Sequence, residues 1–272
     1  MRRWSFVVGV VLIALGVLAV LRILLNALGI WFHIGWVFWP LILIGLGVWF
    51  IQGVSRGGRG SASREEASIP LEGASEASVM VRHGAGRLSI AAGAAPDQLL
   101  SGSFGGGLDV ARTRNGERLD IELKVKDRDV SHYIFPGTRG WAGMLDWTLS
   151  LNSAIPLSLR LETGASETRL SLTDLQVRDL VLKTGASATT IDLPSRAGYT
   201  RFSAEFGAAS VKVRVPQGVA ASIQVRGALS GIHVDRTRFP QFADGYRSAD
   251  YDSAANKVEI SVETGVGSIE IH

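Results

Sequence analysis

LRLETGASETRLSLTDLQVRDLVLKTGASATTIDL, residues 159–193, states the same phrase twice: alternating aliphatic and polar residues, a Thr-Gly-Ala-Ser corner, then alternation again. Period two is the mark of a β-strand with one buried face. Related corners occur as VRHGAG at 81–86, AEFGAA at 204–209, VRGALS at 225–230 and VETGVG at 262–267, so the candidate corner glycines are Gly84, Gly164, Gly185, Gly207, Gly227 and Gly265. Gly164, Gly185, Gly207 and Gly227 follow at intervals of 21, 22 and 20 residues. In every copy the inward alternation resumes seven positions on, as in Leu161/Thr168, Leu182/Thr189 and Ala204/Val211. An odd offset would land on the opposite face of a straight strand, so each corner must reset the facing. Short strands, corners and a period near 21 residues predict an all-β solenoid, a parallel β-helix of about nine coils over residues 79–272. An antiparallel sandwich would also alternate, but does not require a fixed period.

In-register stacking has a consequence at one outward position, two before the corner glycine in most copies. Glu162, Lys183, Glu205 and Arg226 occupy it in successive coils, so a cross-coil ladder of opposite charges is expected. Two stretches interrupt the period, at about 124–148 and 235–257, and hold eight of the twelve aromatic residues outside the N-terminal region. Insertions of this kind project from one side of a solenoid and are the usual place for contacts. Trp141, Trp147, Tyr246 and Tyr251 are therefore the expected partner-binding residues.

Working toward the N-terminus, residues 53–78 are rich in glycine, serine and alanine and read as a flexible linker. Residues 4–52 hold one charge, Arg22, and contain two apolar runs, at about 4–21 and 34–51, each long enough to cross hydrocarbon as a helix. They predict a two-helix transmembrane hairpin. Arg2 and Arg3 precede it, and Arg56, Arg59 and Arg64 follow it. This bias places both termini in the cytoplasm of a cell whose membrane is spanned twice.

Little points to chemistry. The chain has no cysteine, which excludes disulfides, thiolate catalysis and zinc-thiolate sites. A net charge of +3 argues against nucleic acid as a partner. No nucleophile elbow or phosphate-binding loop is present, and Asp250, Asp252 and Asn256 lack the glycine and terminal glutamate of a calcium loop. The expectation is a non-enzymatic protein with no catalytic residue, no cofactor and no metal.

The stretch WFHIGWVFWPLILIGLGVWF at 31–50 resembles the transmembrane region of LiaF-type proteins. DWTLSLNSAIPLSLRLETGASETRLSLTDLQVRDLVL at 146–182 is similar to the β-solenoid called the toast-rack domain, as is the C-terminal YRSADYDSAANKVEISVETGVGSIEIH. The resemblance implies a bacterial membrane protein whose best-known relatives restrain a sensor kinase answering to cell-envelope stress, although those relatives typically have four spans. The expected function is regulatory or interacting, through protein contacts of the solenoid. A self-assembling, membrane-tethered scaffold is the alternative, since a solenoid without end caps can stack into homo-oligomers. A third reading, carbohydrate binding or processing outside the cell, requires a groove of carboxylates that the sequence does not display.

Overall fold

The structure, a computed structural model, describes residues 64–126 and 145–272. The two apolar runs, residues 53–63 of the linker and Trp141 lie outside the described residues. Among those described, no helix is long and apolar enough to cross a membrane.

The described chain is all β. Its strands are β1 (Arg64–Pro70), β2 (Glu76–Ala92), β3 (Gln98–Gly105), β4 (Leu108–Asn115), β5 (Arg118–Val125), β6 (Trp147–Leu151), β7 (Pro156–Ser171), β8 (Gln176–Asp192), β9 (Tyr199–Arg214), β10 (Ala220–Val234), β11 (Gln241–Phe242), β12 (Gly245–Arg247) and β13 (Lys257–Ile271). Six of them, β2, β7, β8, β9, β13 and β10, are 15 to 17 residues long and lie parallel and in register in that spatial order.

Each long strand has two arms meeting at a glycine corner. In β7, Leu157, Leu159, Leu161 and Thr163 are buried on the first arm. Gly164 and Ala165 are both exposed, and burial resumes at Ser166, Thr168 and Leu170. Two consecutive exposed residues are what resets the facing. The seven-residue pairs Val81/Leu88, Leu161/Thr168, Leu182/Thr189, Ala204/Val211 and Val262/Ile269 are accordingly buried at both members, but Val225/Ile232 is not: on the outermost long strand, β10, Val225 is half-buried and Ile232 is exposed. Inside the corner, the Ser166 hydroxyl donates to Thr163 Oγ1 at 3.0 Å. The aliphatic rows of successive rungs fuse into one core, where each fully buried Leu, Ile or Val contributes about 1.5–3 kcal/mol. The 22-residue interval between Gly185 and Gly207 does not disturb the stack, because β8 and β9 pair Thr184 with Phe206 across the corner.

The corner glycines are required by close approach, not by backbone conformation. A Cβ on Gly207 would stand 2.7 Å from Gly185 O, and one on Gly265 2.7 Å from Gly207 O; on Gly164 it would overlap Gly84 O. β7, β9 and β13 thus lay the corner Cα on the corner carbonyl of a neighbouring rung, whereas Gly227, expected as a corner glycine, pairs with Thr264 and stands one residue before the row. Gly185 is less tight, with 3.2 Å to Gly164 O, and Gly84, at the end of the row, faces open space.

The architecture departs from the nine-coil expectation in two ways. First, residues 93–126 leave the long-strand path. β4 and β5 form an antiparallel hairpin, and β5 then pairs with the first arm of β2 while β6 pairs with the second. β5 and β6 make one discontinuous rung against β2, and most of the interruption expected at 124–148 lies outside the described residues. Second, β13 does not extend the stack but enters between β9 and β10, pairing with both in parallel. The chain can do this because the segment 235–257 carries it back past β10. Repeat counting along the sequence assigns one coil per period and cannot register an insertion. The sheet is also not an antiparallel sandwich, since the long strands are parallel.

Residues 64–70, read from the sequence as part of the linker, form β1, antiparallel to β3. REEASIP buries only Ile69, at 1% exposed, which is too little apolar periodicity for a strand to be recognised.

Candidate interaction surface

Along the row of corners runs an open groove of about 1140 Å³. Its rim is the charged position two before the corner glycine in β2, β7, β8, β9 and β13, joined in β10 by Arg226, which pairs with Glu263. Strand order makes the sequence along the rim Arg82, Glu162, Lys183, Glu205, Glu263, Arg226. The expected ladder is correct for Glu162, Lys183 and Glu205, but Glu205 and Arg226 are not neighbours: Glu263 of β13 lies between them. Two like charges therefore adjoin, an arrangement that destabilises a sheet. Outer partners offset it. Lys183 Nζ donates to Glu205 Oε1 at 2.8 Å, and Arg226 Nη1 lies 3.7 Å from Glu263 Oε1. At the far end Arg82 joins Glu162 and Glu122, each at 3.2 Å. Exposed pairs of this kind contribute about 0–1 kcal/mol each. Their sum is a rim with no net charge. Arg82 and Glu263 occupy the motif position and were legible in the sequence; the position of β13 was not.

The aromatic residues divide sharply. Trp147, expected to meet a partner, is wholly buried: its Nε1 donates to Gly105 O at 2.9 Å, and its ring stands edge-on to Phe104 at 5.0 Å. It serves the core because β6 alternates Trp147, Leu149 and Leu151 inward. Tyr246, on β12, is half-buried and packs on the core beside β10. Phe239 is buried as well. These three fold back over the sheet.

The outer part of the segment 235–257 is different. Phe242, at the tip of the β11–β12 hairpin, is 57% exposed. The Arg247 guanidinium lies 5.0 Å from its ring and 4.7 Å from that of Tyr251, with Lys257 Nζ at 5.6 Å on Tyr251. Arg247 is also ion-paired with Asp252, so that carboxylate is engaged within the segment. Burial pushes the Tyr251 phenol above its ordinary range. Phe242 and Arg247 were missed from the sequence: a single phenylalanine among polar residues has no period, and the arginine's stacking needs the hairpin. Nearby, Tyr199 donates its hydroxyl to Glu259, which keeps the phenol protonated beyond its ordinary range.

Among the described residues, no group of three or more His, Asp or Glu side chains is arranged to hold a metal ion.

His83 occupies the position that is threonine in three other rungs. It is 1% exposed, its Nε2 hydrogen-bonds Leu145 O at 2.6 Å, and its Nδ1 has no partner. Burial holds its pKa below the ordinary histidine value. The unfolded chain takes up this proton near pH 6.5 while the folded chain does not, so stability is complete above that pH and falls as pH drops through the window beneath it. We expect the free energy of unfolding to fall between about pH 7.5 and about pH 5.5, at a slope no steeper than about 1.4 kcal/mol per pH unit. His83→Thr should flatten this interval; an unchanged slope would assign the effect elsewhere.

No curated protein matches the sequence. Among solved structures, a candidate cell adhesion protein from Clostridium sporogenes superposes with a TM-score of 0.67 at 18% identity, covering 77% of this chain and 98% of that one. A candidate adhesin from Bacteroides fragilis aligns over 78% of this chain and 98% of its own, at 6% identity and a TM-score of 0.29. The first similarity establishes a shared fold. The family described as the N-terminal domain of toast_rack, DUF2154, matches residues 58–214, more than half of the chain. With bent parallel strands stacked on a row of corner glycines, this chain belongs to the toast-rack family.

Proposed function

We propose that this chain is a non-enzymatic, membrane-anchored interaction protein whose sheet domain docks a protein partner at the bacterial cell envelope. The observation that carries the reading is the surface at the tip of the segment 235–257, where exposed Phe242 stacks on a half-buried Arg247 that also stacks on half-buried Tyr251. Interfaces draw most of their binding energy from a few aromatic and arginine side chains held rigid before contact. Here the arginine is pre-ordered between two rings. The similarity in fold to the candidate cell adhesion protein of Clostridium sporogenes points the same way.

The apolar runs at about 4–21 and 34–51 supply the anchor as a two-span hairpin, with both termini in the cytoplasm. The likeness of residues 31–50 to LiaF-type proteins extends the reading to a sensor kinase of envelope stress as the docked partner. Protease digestion of the sheet domain in inverted vesicles but not in intact cells is the matching topology; the reverse result would turn the search to extracellular partners.

A photo-crosslinker at Asp244, beside the tip, should capture the partner in cells. Phe242→Ala with Tyr251→Ala should lower its recovery by at least about tenfold. Unchanged recovery from a normally folded double variant would overturn this surface as the docking site.

A further inference from the structure

The ends of the parallel stack are not treated alike. Beyond β2, one arm is covered by β5 and β4 and the other by β6, β3 and β1. At the opposite end, β12 pairs with β10 only at Ser222 and Ile223. Among the described residues, no strand pairs with the outer edge of β10 from Gly227 to Val234.

Which backbone groups face that edge follows from alternation. Asp235 N–H donates to Ile271 O of β13. Residues 233, 231 and 229 turn the same way, so the main-chain groups of Ser230, Ile232 and Val234 face outward. Unpaired edges recruit other strands unless charge or proline defends them. β1, the sequence REEASIP, carries Arg64, Glu65, Glu66 and Pro70. β4, LDVARTRN, carries Asp109, Arg112 and Arg114. The second arm of β10, GALSGIHV at 227–234, contains no Lys, Arg, Asp, Glu or Pro. It is the undefended edge.

We infer that this edge pairs with the same edge of a second copy of the chain, antiparallel about a twofold axis. A charge-free segment set against itself meets no like-charge repulsion. The β2 end is covered and the outer strands there, β1 and β4, are defended by charge, which leaves a second copy the like edge, so the contact is isologous and closes as a dimer, not as a filament. Room exists on the exposed face: a Cβ on Gly231 would meet nothing nearer than His233 Cε1, at 3.9 Å. The inference rests on the sheet edge and is separate from the aromatic surface of the proposed function.

The absence of cysteine gives a direct test in the full chain. Single variants Gly231→Cys and His233→Cys on the β10 edge are oxidised alongside Thr113→Cys on the exposed β4 edge, which reports any collision or N-terminal association. At least one β10 position should form disulfide dimers about tenfold faster than Thr113→Cys, because pairing holds the two thiols at high effective concentration. Adding glutamate at the other β10 position, His233→Glu or Gly231→Glu, should return the rate to the control value without lowering the melting temperature. Equal rates at both edges, no dimer, insensitivity to the glutamate, or a cross-link to a different protein would each overturn the dimer. None of these outcomes changes partner capture through Phe242, so the two readings fail separately.

Discussion

An alanine at Gly164 is expected to cost the sheet domain about 3 kcal/mol or more, while an alanine at Gly84 should leave its stability within about 1 kcal/mol of the starting chain. The two glycines have the same place in the same motif, and glycine within a strand is ordinarily the weaker choice, since it has more backbone entropy to lose and no side chain to pack. At Gly164 the added methyl would overlap the Gly84 carbonyl, a backbone atom fixed by the pairing of β2 with β7, so the whole rung must move. At Gly84 the methyl meets nothing within 4 Å. Denaturant unfolding of the two variants followed by circular dichroism distinguishes a stacked corner from a generic turn. Equal losses at both positions would mean that the glycines serve the bend and not the neighbouring carbonyl.

Trp147→Ala is the second large effect, expected to destabilise by about 3–5 kcal/mol, the usual cost of emptying a buried aromatic site. The loss combines the cavity beside Phe104, the vacated edge-to-face contact at 5.0 Å, and the Gly105 carbonyl left without its indole donor. Trp147→Phe retains most of the volume and should lose about 1–2 kcal/mol, much of it the hydrogen bond. Thermal unfolding of both variants checks the order. A Trp147→Ala chain that unfolds like the parent while losing a bound partner would return this residue to the surface.

These two residues show where sequence reading succeeds and where it stops. Alternation and the seven-residue offset were sufficient to assign Leu161 and Thr168 to one buried face, because a period is a local property of the chain and burial follows it directly. Trp147 was misassigned for a related reason. It borders a stretch without period, and aromatic composition alone marks an interface as readily as a core. Only its place on β6, opposite Phe104 of β3, makes it a core residue.

The charged rim gives the same lesson at longer range. That Arg82, Glu162, Lys183, Glu205 and Glu263 share one position in the rung is written in the motif, whereas Arg226, one residue before Gly227, joins them only through its pairing with Glu263. That Glu205 meets Glu263 is not, because nothing local to β13 says it will enter between β9 and β10. The Phe242–Arg247–Tyr251 stack, likewise, exists only once the hairpin sets residues five and four apart against one another.

By itself the sequence determined that this chain is built of bent strands with aliphatic inner faces, glycine corners and stacked charges, since each depends on spacings within about one 21-residue repeat. The tertiary structure alone decided the order of the rungs, which corner glycines bear on a neighbour's carbonyl, and which edge of the sheet is left unpaired. Those are relations between residues about 20 to 80 positions apart, set by how the whole chain closes its core and satisfies its backbone, and no local pattern contains them.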